Sequence, residues 1–179
     1  MRDRQKELLE LLDKSGANLY ALLTRLTLRE DVAEELMQEL FIKLSNSRRF
    51  DKAGNRQAYA RRAVINLAFD WRRSRKRNPL RLEQVREPAS NDSSPLSKLV
   101  RTEELDEILN AISRLKGACR EAFVMRYIQE EPYDYIAEQL GKSTHQVRAM
   151  CSKALNHLRN MLGHNRQKSS GKETHNVKK

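Results

Sequence analysis

The chain has 179 residues, with 35 lysines and arginines against 24 acids, a formal net charge of +11 and a pI near 9.9. That length holds one ordinary domain or two small ones, and so large an excess of cations attracts polyanions, nucleic acid foremost. No run approaches the roughly 18 apolar residues of a membrane span, and Met1-Arg2-Asp3-Arg4-Gln5-Lys6 lacks the apolar core of a signal peptide. The expectation is therefore a cytoplasmic protein that makes no membrane contact. Aromatic residues are only 6% of the chain, so each small core must be built from Leu, Ile, Val and Ala and is marginal in isolation. Cys119 and Cys151 lie far apart without CxxC spacing and read as small buried hydrophobes. A disulfide, or a zinc site shared with His145 or His157, is the alternative.

In chain order, residues 4–28 read as helix, carrying Leu8, Leu9, Leu11 and Leu12 and then Leu19, Leu22, Leu23 and Leu26, with Ser15-Gly16 as an expected interruption. Asp31 is placed to cap the next helix, whose apolar stripe is Val32, Leu36, Leu40, Phe41 and Leu44. Residues 45–57 are rich in turn formers and read as a polar loop. A long helix follows from about Gln57 to Arg77, with Ala60, Ala63, Val64, Leu67 and Trp71 facing inward, and Asn78-Pro79 ends it.

Residues 79–98 hold Pro79, Pro88 and Pro95 among serines and show no apolar period, the composition of a linker. The second block starts near Leu99, with Leu105, Ile108, Leu109, Ile112 and Leu115 at helical spacing. Gly117 breaks that helix, another runs from Ala118 to Ile128, and Pro132 sits at a further helix start. Residues 164–179 carry cations and almost nothing apolar, which predicts a disordered basic tail. With no strand pattern or repeat, the fold class is all-α: two small helical domains, 1–78 and 99–163, on a flexible linker.

Two constellations carry chemistry. From Tyr133 to Leu162, Ile136, Ala137 and Leu140 give a short helix an apolar face, Gly141 permits a tight turn, and Ser143 or Thr144 caps the next helix. That helix has Val147, Cys151, Ala154, Leu155 and Leu158 inward and Thr144, His145, Gln146, Arg148, Ala149, Ser152 and Lys153 outward. This is the pattern of a helix-turn-helix, whose second helix enters the major groove; Gln146 is of the type that reads adenine, and Arg148 of the type that reads guanine or holds phosphate. An ordinary helical hairpin with a solvated face is the alternative. The second constellation is the helix ending at Arg77, where Arg61, Arg62, Arg72, Arg73, Arg75 and Lys76 are interleaved with Tyr59, Phe69 and Trp71. Cations beside π-faces suit an unstacked single strand, although Trp71 also fits a core, and a helix C-terminus favours cations in any case. Asn66 interrupts an apolar stretch with a side chain able to pair with a base edge.

At these residues the chain resembles the extracytoplasmic-function group of bacterial RNA polymerase sigma factors. Ala33-Glu34-Glu35-Leu36-Met37-Gln38-Glu39 followed by Phe41 is similar to the acidic signature of the group's polymerase-docking helix. Tyr59 to Arg73, with Asn66 and Asp70 in register, is similar to the helix that recognises the −10 promoter element. Arg120-Glu121-Ala122-Phe123, then Tyr133, Ile136-Ala137-Glu138 and Leu140-Gly141, with Val147-Arg148 and Lys153-Ala154 beyond, is similar to the domain that binds the −35 element. The chain departs from the usual pattern at Glu35, Tyr59-Ala60, Lys116, Tyr135 and Met150.

The resemblance implies a non-enzymatic factor without metal or cofactor that directs promoter recognition, DNA opening and initiation. Its partners would be the polymerase core (β′ clamp helices and β flap), promoter DNA and an anti-sigma protein, and it would be a monomer when free. Glu34, Glu35, Gln38 and Phe41 would meet the core. Asn66, Asp70, Arg61, Arg62, Arg72, Arg73 and Arg75 would meet the −10 strand, with Asn66 and the loop from Phe50 to Gln57 forming a pocket for one extruded base. Ser143, Thr144, His145, Gln146, Arg148, Ala149, Ser152 and Lys153 would meet the −35 element. Three other readings stand beside this one. A stand-alone helix-turn-helix regulator would leave the acidic helix without a role. An RNA-binding adaptor is disfavoured by the helix-turn-helix. A nuclease or recombinase lacks paired carboxylates, HExxH and any glycine-rich phosphate loop.

Overall fold

The computed structural model describes residues 2–77 and 95–170, and the eight elements among them are all helices: α1 (Arg2–Thr27), α2 (Glu30–Ser45), α3 (Arg48–Asp51), α4 (Arg56–Arg77), α5 (Pro95–Ile112), α6 (Gly117–Tyr127), α7 (Tyr133–Leu140) and α8 (Thr144–Ser170). The first four form one region, with α1 packed on both α2 and α4, and the last four form another, in which α8 packs on α5, α6 and α7. Residues 78–94, most of the expected linker, and 171–179, most of the expected tail, lie outside the described residues.

Helix α1 is unbroken at Ser15-Gly16. A glycine inside a helix costs only about 1 kcal/mol, and the buried stripe passes straight through, from Leu8 by way of the buried Ser15 to Leu19, Leu22, Leu23 and Leu26. The next helix starts without a side-chain cap. Its N-cap is Arg29, and Asp31 lies in the first turn, paired with the Arg29 guanidinium, where its charge still favours a helix N-terminus. Between the two helices Leu28 has φ 60°, a left-handed conformation that costs an L-residue about 1 kcal/mol. The turn is held because Leu28 N–H donates to Thr24 O at 2.8 Å and Arg29 N–H to Thr27 Oγ1 at 3.3 Å.

Part of the expected loop at 45–57 is also ordered into a helix. Ser47 accepts from Phe50 N–H and caps α3, and burial of Phe50 draws the segment down onto α4, against Tyr59 at a ring-centroid distance of 5.9 Å. In the second region α5 already begins at Pro95, and it turns differently from the expected stripe. Leu109, Ile112 and the following Leu115 are buried, whereas Leu105 and Ile108 are exposed. At the far end α8 continues past His164 to Ser170.

The two regions also pack together. One buried apolar cluster runs from Leu8, Leu26, Leu40, Val64 and Phe69 in the first to Leu109, Ile112, Leu115, Phe123, Val124 and Leu158 in the second. Arg72 ties them electrostatically: its side chain is 1% exposed, Nε donates to the Leu26 carbonyl at the end of α1, and a terminal nitrogen reaches Asp106 of α5 at 2.8 Å. A lysine cannot make both contacts, because the guanidinium fork is what spans them. Arg72→Lys is expected to lower stability by about 1–2 kcal/mol, read as a lower urea midpoint with an unchanged slope. Gly141, at φ 60° with open space where a Cβ would stand, isolates the backbone term. Gly141→Ala should cost about 1 kcal/mol through conformation alone, by the same measurement.

Candidate nucleic-acid interface

The end of α7 and the start of α8 are set by local chemistry. Gly141 takes the left-handed conformation, and Lys142 N–H closes back on Ala137 O at 2.9 Å, which ends α7. At the start of α8, Ser143 Oγ accepts from Gln146 N–H at 3.2 Å and Gln146 Oε1 accepts from Ser143 N–H at 3.0 Å, the reciprocal arrangement of a capping box. Ser143, not Thr144, is therefore the cap. Thr144 Oγ1 instead donates to Asp134 Oδ1 at 2.9 Å and pins the two helices to each other. Behind them Ala122, Met125, Ile136, Ala137, Val147 and Cys151 form a small core of their own. Burial pushes the Cys151 thiol up, so it stays protonated, with Sγ donating to Ala122 O at 3.7 Å. Both cysteines are free, and the described residues contain no cluster of metal-ligating side chains.

His145, Arg148, Ala149, Ser152 and Lys153 are exposed along one side of α8. Gln146 is exposed too, but its amide oxygen is used by the cap, so in this conformation it lacks the free pair of groups that a bidentate contact to adenine needs. Arg148 is held more firmly. Its guanidinium carbon lies 4.7 Å from the centre of the Tyr133 ring, and that of Arg126 lies 4.6 Å from the same ring. Arg126 also donates to Glu131 O at 3.0 Å. Cation–π contacts of this kind restrain long side chains that would otherwise lose rotamer freedom on binding. Tyr133 and Arg126 carry no role in the sequence reading, because a single chain does not reveal which ring lies beside which cation.

The basic helix α4 buries Ala60, Ala63, Val64, Leu67 and Ala68 against the first region. Trp71, half-buried, packs against the core and carries the Arg75 guanidinium over its ring at 5.6 Å, which satisfies both readings of that residue. Polar side chains of α4 are engaged by the second region, although Arg62 and Asp70 stay exposed. Arg61 donates to Tyr135 Oη at 2.8 Å, Arg62 Nε to Glu121 at 2.8 Å, Arg73 to Ser113 O at 2.9 Å, and Asn66 Oδ1 accepts from Arg120 at 2.8 Å. Arg73 also pairs with Asp70 one turn earlier, and Arg75 lies 3.6 Å from Asp106. Arg72 is the clearest departure from expectation: buried between α1 and α5, it reaches no surface at which a phosphate could meet it. Gln57, at the end of the loop expected to line a base pocket, and Asn66 are separated by about 14 Å of helix rise. Asn55 in that loop caps α4 by accepting from Ala58 N–H at 2.9 Å.

Two of the mates of α4, Glu121 and Arg120, are themselves charged and buried. Burial pushes the Glu121 carboxyl up, while Arg62, Arg61 and Arg120 draw it back. Burial likewise lowers Arg120 and Arg72 from the usual arginine value, but a guanidinium remains charged in proteins. In the first region, α2 presents Glu34, Glu35, Gln38 and Phe41 to solvent, with Phe41 43% exposed, over the buried Leu36, Leu40 and Leu44. These four share the exposed side of one helix.

Residues 11–78 match the family model of sigma-70 region 2, and residues 105–158 match that of sigma-70 region 4. No curated protein matches the chain. Among solved structures, the sigma factor RpoE from Bartonella quintana, crystallised in complex with the anti-sigma factor NepR, is 22% identical, covering 91% of this chain and 98% of its own, with a TM-score of 0.46. The region 2 match ends at the basic helix and the region 4 match spans the helix-turn-helix. The chain thus belongs to the sigma-70 family, the factors that direct transcription initiation.

Proposed function

We propose that the chain docks on the polymerase core through Glu34, Glu35, Gln38 and Phe41 of α2, reads the −35 element with the exposed side of α8, and engages the −10 strand with α4. The observation that carries this division of labour is the separation of charge. The exposed Glu34, Glu35, Gln38 and Phe41 stand on α2 and the exposed Arg148 and Lys153 on α8, so protein and DNA are met by different helices of one basic molecule. On α8 the reading rests on Arg148 and Lys153, with His145, Ala149 and Ser152 beside them, while Ser143, Thr144 and the Gln146 oxygen form the helix start. On α4 it rests on Arg62, Asn66, Asp70, Arg73 and Arg75, while Arg61 and Arg72 support the fold. Strand opening draws on stacking energy of a few kcal/mol per extruded base, which contacts from α4 and the polymerase would return.

A further partner is a protein antagonist, as for the relative that was crystallised with an anti-sigma factor. No described helix is long and apolar enough to cross a membrane, and the site of action we propose is the cytoplasm, where polymerase and promoter meet. The test is transcription by bacterial core polymerase on a randomised promoter library. Transcripts that depend on this protein and share two upstream elements would establish the reading. Silence with an active core, together with tight duplex binding by the protein alone, would replace it with a stand-alone regulator.

Two sets of variants probe the contacts. Glu34→Lys with Glu35→Lys should weaken core binding at least tenfold, since like charges placed across an interface cost several kcal/mol. Melting should be unchanged because both residues are exposed. Equal binding in a pull-down with core polymerase would remove α2 from the interface. Tyr133→Leu should release Arg148 and reduce discrimination at the −35 base it contacts by about fivefold, the equivalent of about 1 kcal/mol for a lost cation–π contact. Tyr133→Phe, which keeps the ring, should restore it. Competition binding with −35 duplexes differing at one base reads the difference, and a Phe variant no better than Leu would exclude the stacking role.

A further inference from the structure

Gln146 is the third residue of α8 and is exposed on the helix that meets the −35 duplex under the function proposed above. The N-terminal residues of such a helix are the ones that reach base edges. Its amide is not free to turn. Oε1 accepts from Ser143 N–H at 3.0 Å, while Ser143 Oγ accepts from Gln146 N–H at 3.2 Å. Only the oxygen of an amide can accept from an N–H, so this contact fixes which end of the side chain faces the helix start. The amide nitrogen is left without a partner among the described residues.

We propose that Gln146 is a specificity-determining residue of the −35 surface, and that its cap makes it a donor-only reader that selects guanine. The inference rests on the sigma-factor reading for what α8 meets; the orientation of the amide does not.

Base-edge chemistry sets the order of preference. In the major groove guanine offers two neighbouring acceptors, N7 and O6, which match the two protons of one amide nitrogen. Adenine sets a donor beside its acceptor, thymine offers one acceptor, and cytosine offers only its N4 donor. A glutamine reads adenine when its oxygen and nitrogen work as a pair, and here the oxygen is turned to Ser143. Releasing it would unmake an N-terminal cap, and loss of such a cap shifts a helix equilibrium about fivefold. Guanine requires no release.

The neighbours leave the nitrogen accessible. Ala149, at i+3 on the same helix, ends in a methyl group, and Met150, at i+4, packs on the small core behind the helix-turn-helix. Arg148, the nearest cation of α8, is held at 4.7 Å from the centre of the Tyr133 ring. Thr144 Oγ1 is spent on Asp134 at 2.9 Å.

The test uses the full-length protein with polymerase core, in mixed-template transcription from promoters that differ at one base pair of the −35 element, with all four bases in turn. Gln146→Ala locates the contacted position as the one at which discrimination disappears. Gln146→Glu then decides the chemistry. A glutamate at this position keeps the cap, so α8 starts as before, but the end left for the base accepts instead of donating. Its charge lowers the yield from every template alike and leaves the order of bases to be read. The expected wild-type result is guanine about tenfold over cytosine at that position, with adenine and thymine between. Gln146→Glu should reverse the order, with cytosine about tenfold over guanine, while helix content and melting match the wild type. A wild type that selects adenine there, a Gln146→Glu protein that keeps guanine, or an alanine variant that alters no preference would each overturn the proposal and leave the −35 reading standing. A wild type with no base preference at any −35 position loses that reading itself, and the proposal with it.

Discussion

Arg72 lies where three helices meet, and its guanidinium has almost no access to water. A lone buried cation costs several kcal/mol, so the residue is tolerable only where carbonyl and carboxylate converge on it. The Leu26 carbonyl at the end of α1 and Asp106 of α5 supply them. Because α1 belongs to the first region and α5 to the second, that requirement couples the regions: α4 cannot keep Arg72 buried and compensated unless both neighbours are in place. Further seam contacts follow the same helix upstream, through Asn66 and Arg62 to Arg61, each a polar group of α4 matched by one from α6 or α7.

The chain's charge is therefore spent unevenly. A net charge of +11 would suggest a surface that attracts nucleic acid everywhere, yet the basic helix is partly neutralised from within by Glu121 and Asp106. Arg148 and Lys153 stand exposed on α8, as does the acidic stretch of α2. Desolvation explains why this internal neutralisation is not a source of great stability. Burial shifts Glu121, Arg120 and Arg72 each toward the neutral form, so much of the attraction between the charges offsets their lost hydration. Such pairs specify an arrangement while leaving its free energy small enough for a partner to reverse.

The helix-turn-helix works by the opposite logic, with order supplied locally. Gly141 sets the turn, the Ser143–Gln146 cap starts α8, Thr144 ties it to α7, and a core separate from the shared one backs it. The half-buried Arg126 and the exposed Arg148 both lie over the ring of Tyr133. A recognition surface prepared in this way loses little side-chain entropy when it meets DNA. The −10 helix, by contrast, has its side chains committed to other partners.

The sequence alone determined most of the helices, their order and the helix-turn-helix, because these rest on apolar period, Gly, Pro and capping residues, all of which act within about four positions along the chain. Where it misled, a weak local signal lost to burial: Ser15-Gly16 did not break α1, and Phe50 turned part of a polar loop into α3. Only the tertiary structure decided which side of α4 is covered, that Arg72 is buried, and which ring holds Arg148. The partners concerned, Arg62 with Glu121 or Arg72 with Asp106, are separated by 59 and 34 positions. A charge on a helix satisfies the local pattern equally well facing water, a phosphate or another part of its own chain, and only packing selects among the three.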